Sequence, residues 1–360
     1  MTRVSIPHAL ALSTSTLAAG LVALTLGACG STDTNGTMDT TPGTRAGSDG
    51  GTATGNGGSG SANDGGGGVV GVDGGPKPVP NHDGGTVDPT DGGPGPGPGP
   101  VTGGGKLPPP TGSCPDLAAG SVTFSHAGIA PRAVQLYMTD AAKQKHGPLI
   151  FYWHGTGSQP AEAQYALGAT INAITAAGGI VAAPSHDSNA GQFQWYLVSG
   201  TKDDDLRLAD EVAACAMQRV GIDAAHVHSM GMSAGGLMTS QMSFRRSSYL
   251  ASVVTFSGGI SPGTAPAYQD ASNKFPAMIF FGGPNDNVYN FDFQASSNAY
   301  KAKLVADGHF AFLCNHGGGH MVPTGAGASV WQFFQAHPFG TNPSPYAGGL
   351  PSGFPTYCSL

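Results

Sequence analysis

Residues 231–235 read Gly-Met-Ser-Ala-Gly and lie between an apolar run, 227–230, and a small-residue segment with helical character, 234–244. A Gly-x-Ser-x-Gly pentapeptide between a strand and a helix makes a sharp turn that lifts the serine hydroxyl clear of the sheet edge. Small flanking residues are needed because larger side chains would collide in so tight a turn. In a chain with 59 glycines the pentapeptide alone means little. Its strand–turn–helix setting, with an Asp and then a His further along, makes Ser233 the expected activated nucleophile. The competing reading is a Gly-rich turn carrying an idle serine.

Around this turn, apolar runs alternate with helical patterns. Segments 122–124 and 132–138 read as early strands. Segment 148–153 reads as a buried strand ending at His154-Gly155, followed by a helix over 161–177 and a strand over 180–183. A helix opens at Thr201, the expected N-cap, with Asp203, Asp204 and Asp205 suiting the positive end of its dipole. These three carboxylates are expected to form a solvated face rather than a metal site. Leu206, Ala209, Ala213, Ala216 and Val220 recur on one face of that helix. Strands follow at 227–230, 251–256, 277–281 and 310–314, with helices over 293–305 and 326–335. Repeated β-α-β units predict an α/β domain whose mostly parallel sheet carries helices on both faces. Such sheets bind ligands at the carboxyl ends of their strands. His154, Ser233, Asp286 and His320 each follow a predicted strand and are therefore expected on one rim.

A serine hydroxyl is a weak nucleophile at neutral pH and needs a base, which in turn needs a partner to fix its tautomer. The base is assigned to His320, at the end of Asn315-His316-Gly317-Gly318-Gly319-His320, where the glycine run lets a loop fold the imidazole back; His316 is the alternative. The orienting acid is assigned to Asp286, presented by Gly282-Gly283-Pro284-Asn285, with Asp292 as the alternative. Two amides should face the developing oxyanion. They are expected from Ala234 and from Thr156, with Gly155 close behind, while His154 buttresses that turn. On the loop 185–200, Phe193, Trp195 and Tyr196 are candidates for an apolar substrate wall; ordinary packing is the competing reading. His154 counts with Trp195 and Tyr196 among the candidate substrate-binding residues. This chemistry requires no cofactor, and no metal site is expected.

The order Ser233, Asp286, His320 is that of the α/β-hydrolases. Four features together resemble the exported α/β-hydrolase esterases of the polyhydroxybutyrate depolymerase and feruloyl or acetylxylan esterase type. They are the His154-Gly155 turn, Asp203-Asp204 before the nucleophile strand, Gly-Met-Ser-Ala-Gly-Gly at 231–236, and Gly-Gly-Gly-His at 317–320. The resemblance spans about residues 130–337. It implies the α/β-hydrolase fold and a serine esterase acting on short acyl, hydroxyacyl or hydroxycinnamoyl esters, small or polymeric. Two departures lie near the site: Gly282-Gly283 stands where His-Gly is common, and Met321-Val322-Pro323 stands where many members have an aromatic before Pro. The rival functions are a serine peptidase of the same fold and a non-catalytic surface binding protein.

Residues 1–28 read as a secretory signal: Arg3, an apolar stretch over 9–26, then Leu26-Gly27-Ala28. The next residue is Cys29, and Leu-Gly-Ala-Cys resembles a bacterial lipobox, so Cys29 is expected to carry lipid. Residues 31–113 hold 27 glycines, 12 prolines and no aromatic. Such a segment buries too little apolar surface to offset its chain entropy, so 29–113 is expected to be a disordered tether, with an r.m.s. span of roughly 50 Å. Residues 114–360 form the expected catalytic domain, with 14 acids against 11 Lys and Arg and no basic run, which argues against nucleic acid. Any membrane contact is expected only through the anchor at Cys29. Cys114, Cys215, Cys314 and Cys358 remain, an even set pointing to two disulfides with three possible pairings. At least one bridge would pin a terminus. If Cys29 is acylated, Cys29→Ser moves the protein from the membrane to the soluble fraction of a bacterial expression host and abolishes palmitate labelling; unchanged membrane partition would refute the anchor.

Overall fold

The structure, a computed structural model, describes residues 103–199 and 202–360. The signal segment 1–28, Cys29, the tether as far as residue 102, and Thr201 lie outside the described residues. The elements run in chain order β1 (Gly120–Phe124), β2 (Arg132–Tyr137), α1 (Ala142–Lys145), β3 (Leu149–Trp153), α2 (Glu162–Leu167), α3 (Thr170–Ala176), β4 (Ile180–Pro184), α4 (Tyr196–Ser199) and α5 (Asp204–Val220). They continue with β5 (Val227–Met232), α6 (Ala234–Arg245), β6 (Ser252–Phe256), β7 (Ala277–Phe281), β8 (Asn287–Val288), β9 (Phe291–Asp292), α7 (Phe293–Ala306), β10 (Ala311–Asn315), α8 (Ala326–Ala336) and β11 (Cys358–Ser359).

Nine strands form one sheet in the order β1-β2-β4-β3-β5-β6-β7-β10-β11. The six from β4 to β10 run parallel; β1, β2 and β11 supply antiparallel edges. Register aligns the strand ends: Trp153 pairs with Gly231, Met232 with Phe256, and Asn315 with Phe281. The segments that follow these residues therefore emerge together along one rim.

Side chains alternate across a strand, so a sheet covered on both faces needs apolar residues at every position. In β3, Leu149, Phe151 and Trp153 join the core under α5 and α6, while Ile150 and Tyr152 join the core under α2, α3 and α8. All five are buried. Removing a side chain of this class from water contributes about 1.5–3 kcal/mol, which is why an unbroken run of large residues here reads as a central strand.

Three expectations are corrected. The helix over 161–177 is two helices, broken at Gly168, whose left-handed φ of +54° closes α2 through its N–H to Gln164 O. The tether does not extend to residue 113. The Gly105 N–H donates to Ala224 O, and the Thr111 and Gly112 N–H groups donate to the buried Glu211 carboxylate, so residues 105–112 are docked on the domain. Asp205 does not belong to a solvated face. It is fully buried, ion-paired with Arg132, and accepts the Tyr196 N–H, binding the 185–196 loop to α5.

Disulfides join Cys114 to Cys215 and Cys314 to Cys358. One fastens the chain entering the domain to α5 and the other fastens the C-terminal strand to β10, so both ends of the domain are pinned. Closing loops of 101 and 44 residues restricts the unfolded chain by an amount typically worth about 2–4 kcal/mol per bridge. The carboxylate of Glu211 lies close to Cys114 and Cys215, but the two sulfurs are bonded to each other and are not free to ligate a metal. Among the described residues no helix is long and apolar enough to cross a membrane.

Burial lowers the pKa of His154 and of His337 from the ordinary 6.5 to about 4, and holds His228 well below that ordinary value. These groups are neutral in the folded protein but charge in the unfolded chain below about pH 6.5. The unfolded state then binds more protons, so stability falls as pH drops from about 6.5 toward 4. Burial also lowers His309 and His316, so Asp205, raised by burial despite Arg132, works in the opposite direction as one group against five. Melting temperature is expected to be flat between about pH 7 and 9, below the range where the buried tyrosines would ionise on unfolding, and to decline steadily below 6.5; a thermal-denaturation pH series with a flat profile from 7 to 4 would contradict this.

Candidate active site

Ser233 occupies the turn between β5 and α6 with φ +57° and ψ −121°, and its N–H donates to Phe256 O at 2.9 Å. A bulky residue rarely adopts this backbone conformation, which is sustained here by the packing around it. A Cβ on Gly235 would lie 1.8 Å from Trp153 O, and one on Gly231 would lie 2.5 Å from Gly235 O. The turn therefore packs directly onto β3, and both glycines are steric necessities.

His320 Nε2 lies 2.8 Å from Ser233 Oγ, and His320 Nδ1 lies 2.7 Å from Asp286 Oδ1. Asp286 is buried; its other oxygen, Oδ2, accepts the Ser257 hydroxyl and the Gly282 N–H, each at 2.8 Å. The three side chains named from the sequence thus meet at the rim. The alternatives lie elsewhere: His316 Nδ1 takes the Gly318 N–H, and Asp292 caps α7 by accepting the Ala295 N–H. Phe293 packs its ring 4.5 Å from that of His320. Gly282 explains one departure from the resembled family. A Cβ there would lie 1.8 Å from Gly319 O, because the acid-bearing and histidine-bearing loops touch at this point.

The amides of Thr156 and Ala234 border the same cleft as Ser233, and neither has a hydrogen-bond partner among the described residues. Gly155 is a poorer oxyanion donor than the sequence implied, because its N–H is directed at Glu162 Oε1 (3.1 Å) and Oε2 (3.3 Å). Tyr152 also donates to Glu162 Oε1, at 2.9 Å.

Three of the expected substrate contacts, Trp195, Tyr196 and His154, are corrected, since none lines the cleft. Trp195 is fully buried, donates its indole N–H to His154 O, and packs edge-on against Trp153. Tyr196 is nearly buried at the start of α4, anchored through its own amide to Asp205. Neither lines the cleft; Phe193 does. His154 is also fully buried, behind the turn, with Nδ1 on Gly155 O at 2.8 Å, which is the buttressing arrangement.

The cleft has a volume of about 170 Å³ and no charged residue among its described lining. Its apolar walls include Leu237, Ile260, Phe291 and Phe293, with Tyr289 at the mouth. Tyr289 and Asn290 both have positive φ and form the two-residue turn joining β8 to β9. Tyr289 meets Phe193 edge-on at 6.3 Å. Sequence reasoning missed this hairpin because its strands are two residues long. It also missed Ser257, whose only signal was its place after β6, next to the strand bearing the acid.

The sequence matches no protein-family model and no curated protein. Solved structures do match. The native structure of sOPH aligns with a TM-score of 0.56 at 18% identity, over 70% of this chain and 96% of that one. Native pOPH aligns at 0.52 and 20%, over 71% and 96%. A complex of a serine-to-alanine variant of pOPH with pNPB aligns at 0.55 and 18%, over 71% and 96%. The chain has the α/β-hydrolase fold. In this α/β-hydrolase fold, Ser233 follows β5, Asp286 follows β7 and His320 follows β10.

The Asp286 contacts make a specific variant informative. In Asp286→Asn, the amide oxygen would remain on the Ser257 hydroxyl and the Gly282 N–H, which turns the NH₂ group toward His320 Nδ1. That selects the tautomer with its proton toward Ser233. Labelling of Ser233 by a fluorophosphonate is expected to slow on the order of 10⁴-fold, with melting temperature nearly unchanged; a rate within tenfold of the parent would refute the pairing.

Proposed function

We propose that this chain is an exported serine carboxylic-ester hydrolase working through an acyl-enzyme. The observation that carries the reading is the continuous Ser233–His320–Asp286 hydrogen-bond line, at 2.8 and 2.7 Å, opening on an apolar cleft. Ser233 Oγ attacks the ester carbonyl carbon while His320 Nε2 takes its proton. Asp286 stabilises the imidazolium, and the Ala234 and Thr156 amides receive the charge on the carbonyl oxygen. The tetrahedral centre collapses, the C–O bond to the alcohol breaks, and His320 returns the proton to the departing alkoxide. Water then repeats the sequence and frees the acid.

The uncharged lining favours a neutral acyl or alcohol group, since a buried charge would find no partner there. This supports short acyl, hydroxyacyl or hydroxycinnamoyl esters, whether small molecules or segments of a polymer. The two disulfides support an oxidising compartment. On this reading Cys29 carries the lipid and the Gly/Pro-rich segment holds the domain off a bacterial envelope membrane.

Ser233→Ala is expected to lower kcat on p-nitrophenyl butyrate by at least about 10⁴-fold and to abolish fluorophosphonate labelling. Retained hydrolysis would end the proposal. Among esters tested in parallel, those with a charged acyl group are expected to be the poorest substrates.

A further inference from the structure

The turn carrying Thr156 is flanked by a chain of side chains to which the mechanism above gives no role. Gly157 N–H donates to Gln194 Oε1 at 2.8 Å. Gln194 Nε2 lies 3.1 Å from His186 Nε2, and His186 Nδ1 lies 3.3 Å from His154 Nε2. His154 Nδ1 lies 2.8 Å from Gly155 O. The chain leaves the turn at Gly157 and returns to it at Gly155, with Thr156 between.

Its polarity follows from one atom. A backbone N–H can only donate, so the Gln194 atom facing Gly157 must be oxygen, and the atom facing His186 must be nitrogen. An amide NH₂ can only donate, so His186 Nε2 must present its lone pair and His186 must carry its proton on Nδ1. That proton is directed at His154 Nε2, so His154 in turn carries its proton on Nδ1 and donates to Gly155 O. Every donor meets an acceptor, and both histidines are neutral. Gln194 supports this at the expense of its own backbone, with φ at +64°. Such strain persists where surrounding contacts over-determine it. Glu162, which accepts the Tyr152 hydroxyl, accepts the Gly155 N–H as well.

We propose that Gln194, acting through His186 and His154, is a positioning residue that holds the Thr156 amide in place as an oxyanion donor. The inference rests on the serine-hydrolase reading of the site. Gln194 does not itself line the cleft; it acts by fixing Gly155 and Gly157. A donor fixed before reaction stabilises the transition state more than the bound ester, and small displacements of such a group lower the rate steeply.

The test compares the full chain with Gln194→Met, which preserves length but removes both hydrogen bonds, with His186→Phe, and with the double variant. Each single variant is expected to lower kcat on p-nitrophenyl butyrate by about 10–100-fold with KM changed less than about twofold. Affinity for an alkyl trifluoromethyl ketone, whose adduct presents the oxyanion, should fall in parallel with kcat/KM. Because the members act as one unit, the double variant should lose little more than either single one. Gln194→Glu, which still accepts the Gly157 N–H, should retain more activity than Gln194→Met. A kcat within twofold of the parent for Gln194→Met, or multiplicative losses in the double variant, would overturn the proposal. Amide hydrogen exchange at Gly157 provides a readout independent of turnover: faster exchange in Gln194→Met is expected, and unchanged exchange would refute the clamp. Failure of the parent chain to hydrolyse any ester or to react with fluorophosphonate would instead refute the serine-hydrolase reading, leaving the exchange result to judge the clamp.

Discussion

The nucleophile turn depends on the contact between the start of α6 and the end of β3, one of the two tightest backbone approaches among the described residues, where Gly235 passes directly over the Trp153 carbonyl. No side chain fits between them. This approach sets how far the nucleophile turn projects from the sheet, and it brings Gly155 close enough that a Cβ there would lie 3.4 Å from Ser233 Cβ. The nucleophile and the turn carrying the second amide are therefore placed by one backbone contact. Register between β3 and β5 extends that contact into the sheet, since Trp153 pairs with Gly231.

The catalytic rim divides its support between two sides. On the β7–β10 side, the loops bearing Asp286 and His320 meet through Gly319 N–H and Gly282 O at 3.0 Å, and Ser257 holds the carboxylate from β6. On the β3–β4 side, Glu162, His154, His186 and Gln194 surround the Gly155–Thr156–Gly157 turn. Asp286 and His154 are buried, while Glu162, His186 and Gln194 are half-buried around the turn. A carboxylate oxygen of Asp286 left unmatched would cost about 1–3 kcal/mol or more, so its Ser257, Gly282 and His320 partners favour one arrangement of the rim over its neighbours.

The loop 185–196 is fixed by a different means. Arg132 on β2 and Asp205 on α5 form a buried ion pair, and Asp205 also takes the Tyr196 N–H. A buried pair contributes little net stability after desolvation, but breaking it leaves a stranded charge. Its service here is placement: Trp195 is directed inward beneath His154, Gln194 reaches the Thr156 turn, and Phe193 is left at the cleft.

Much of this was legible in the amino-acid order. Apolar runs bounded by turn residues marked all eight strands of five or six residues, most plainly the central parallel ones, because a strand covered on both faces needs apolar residues at consecutive positions. Gly-Met-Ser-Ala-Gly marked Ser233, and the glycine-rich loops marked Asp286 and His320, because tight turns admit few residue types. Periodicity could not say where Trp195 and Tyr196 point. Both are aromatic residues in a loop, and only the Arg132–Asp205 anchor turns them away from the cleft. Nor could spacing expose Glu162, His186, Gln194 or Ser257, whose partners lie on other elements, nor choose among three cysteine pairings. Local steric and solvation rules act over a few neighbouring residues and are written in the chain; long-range hydrogen bonds and disulfides exist only once the sheet has brought distant segments together.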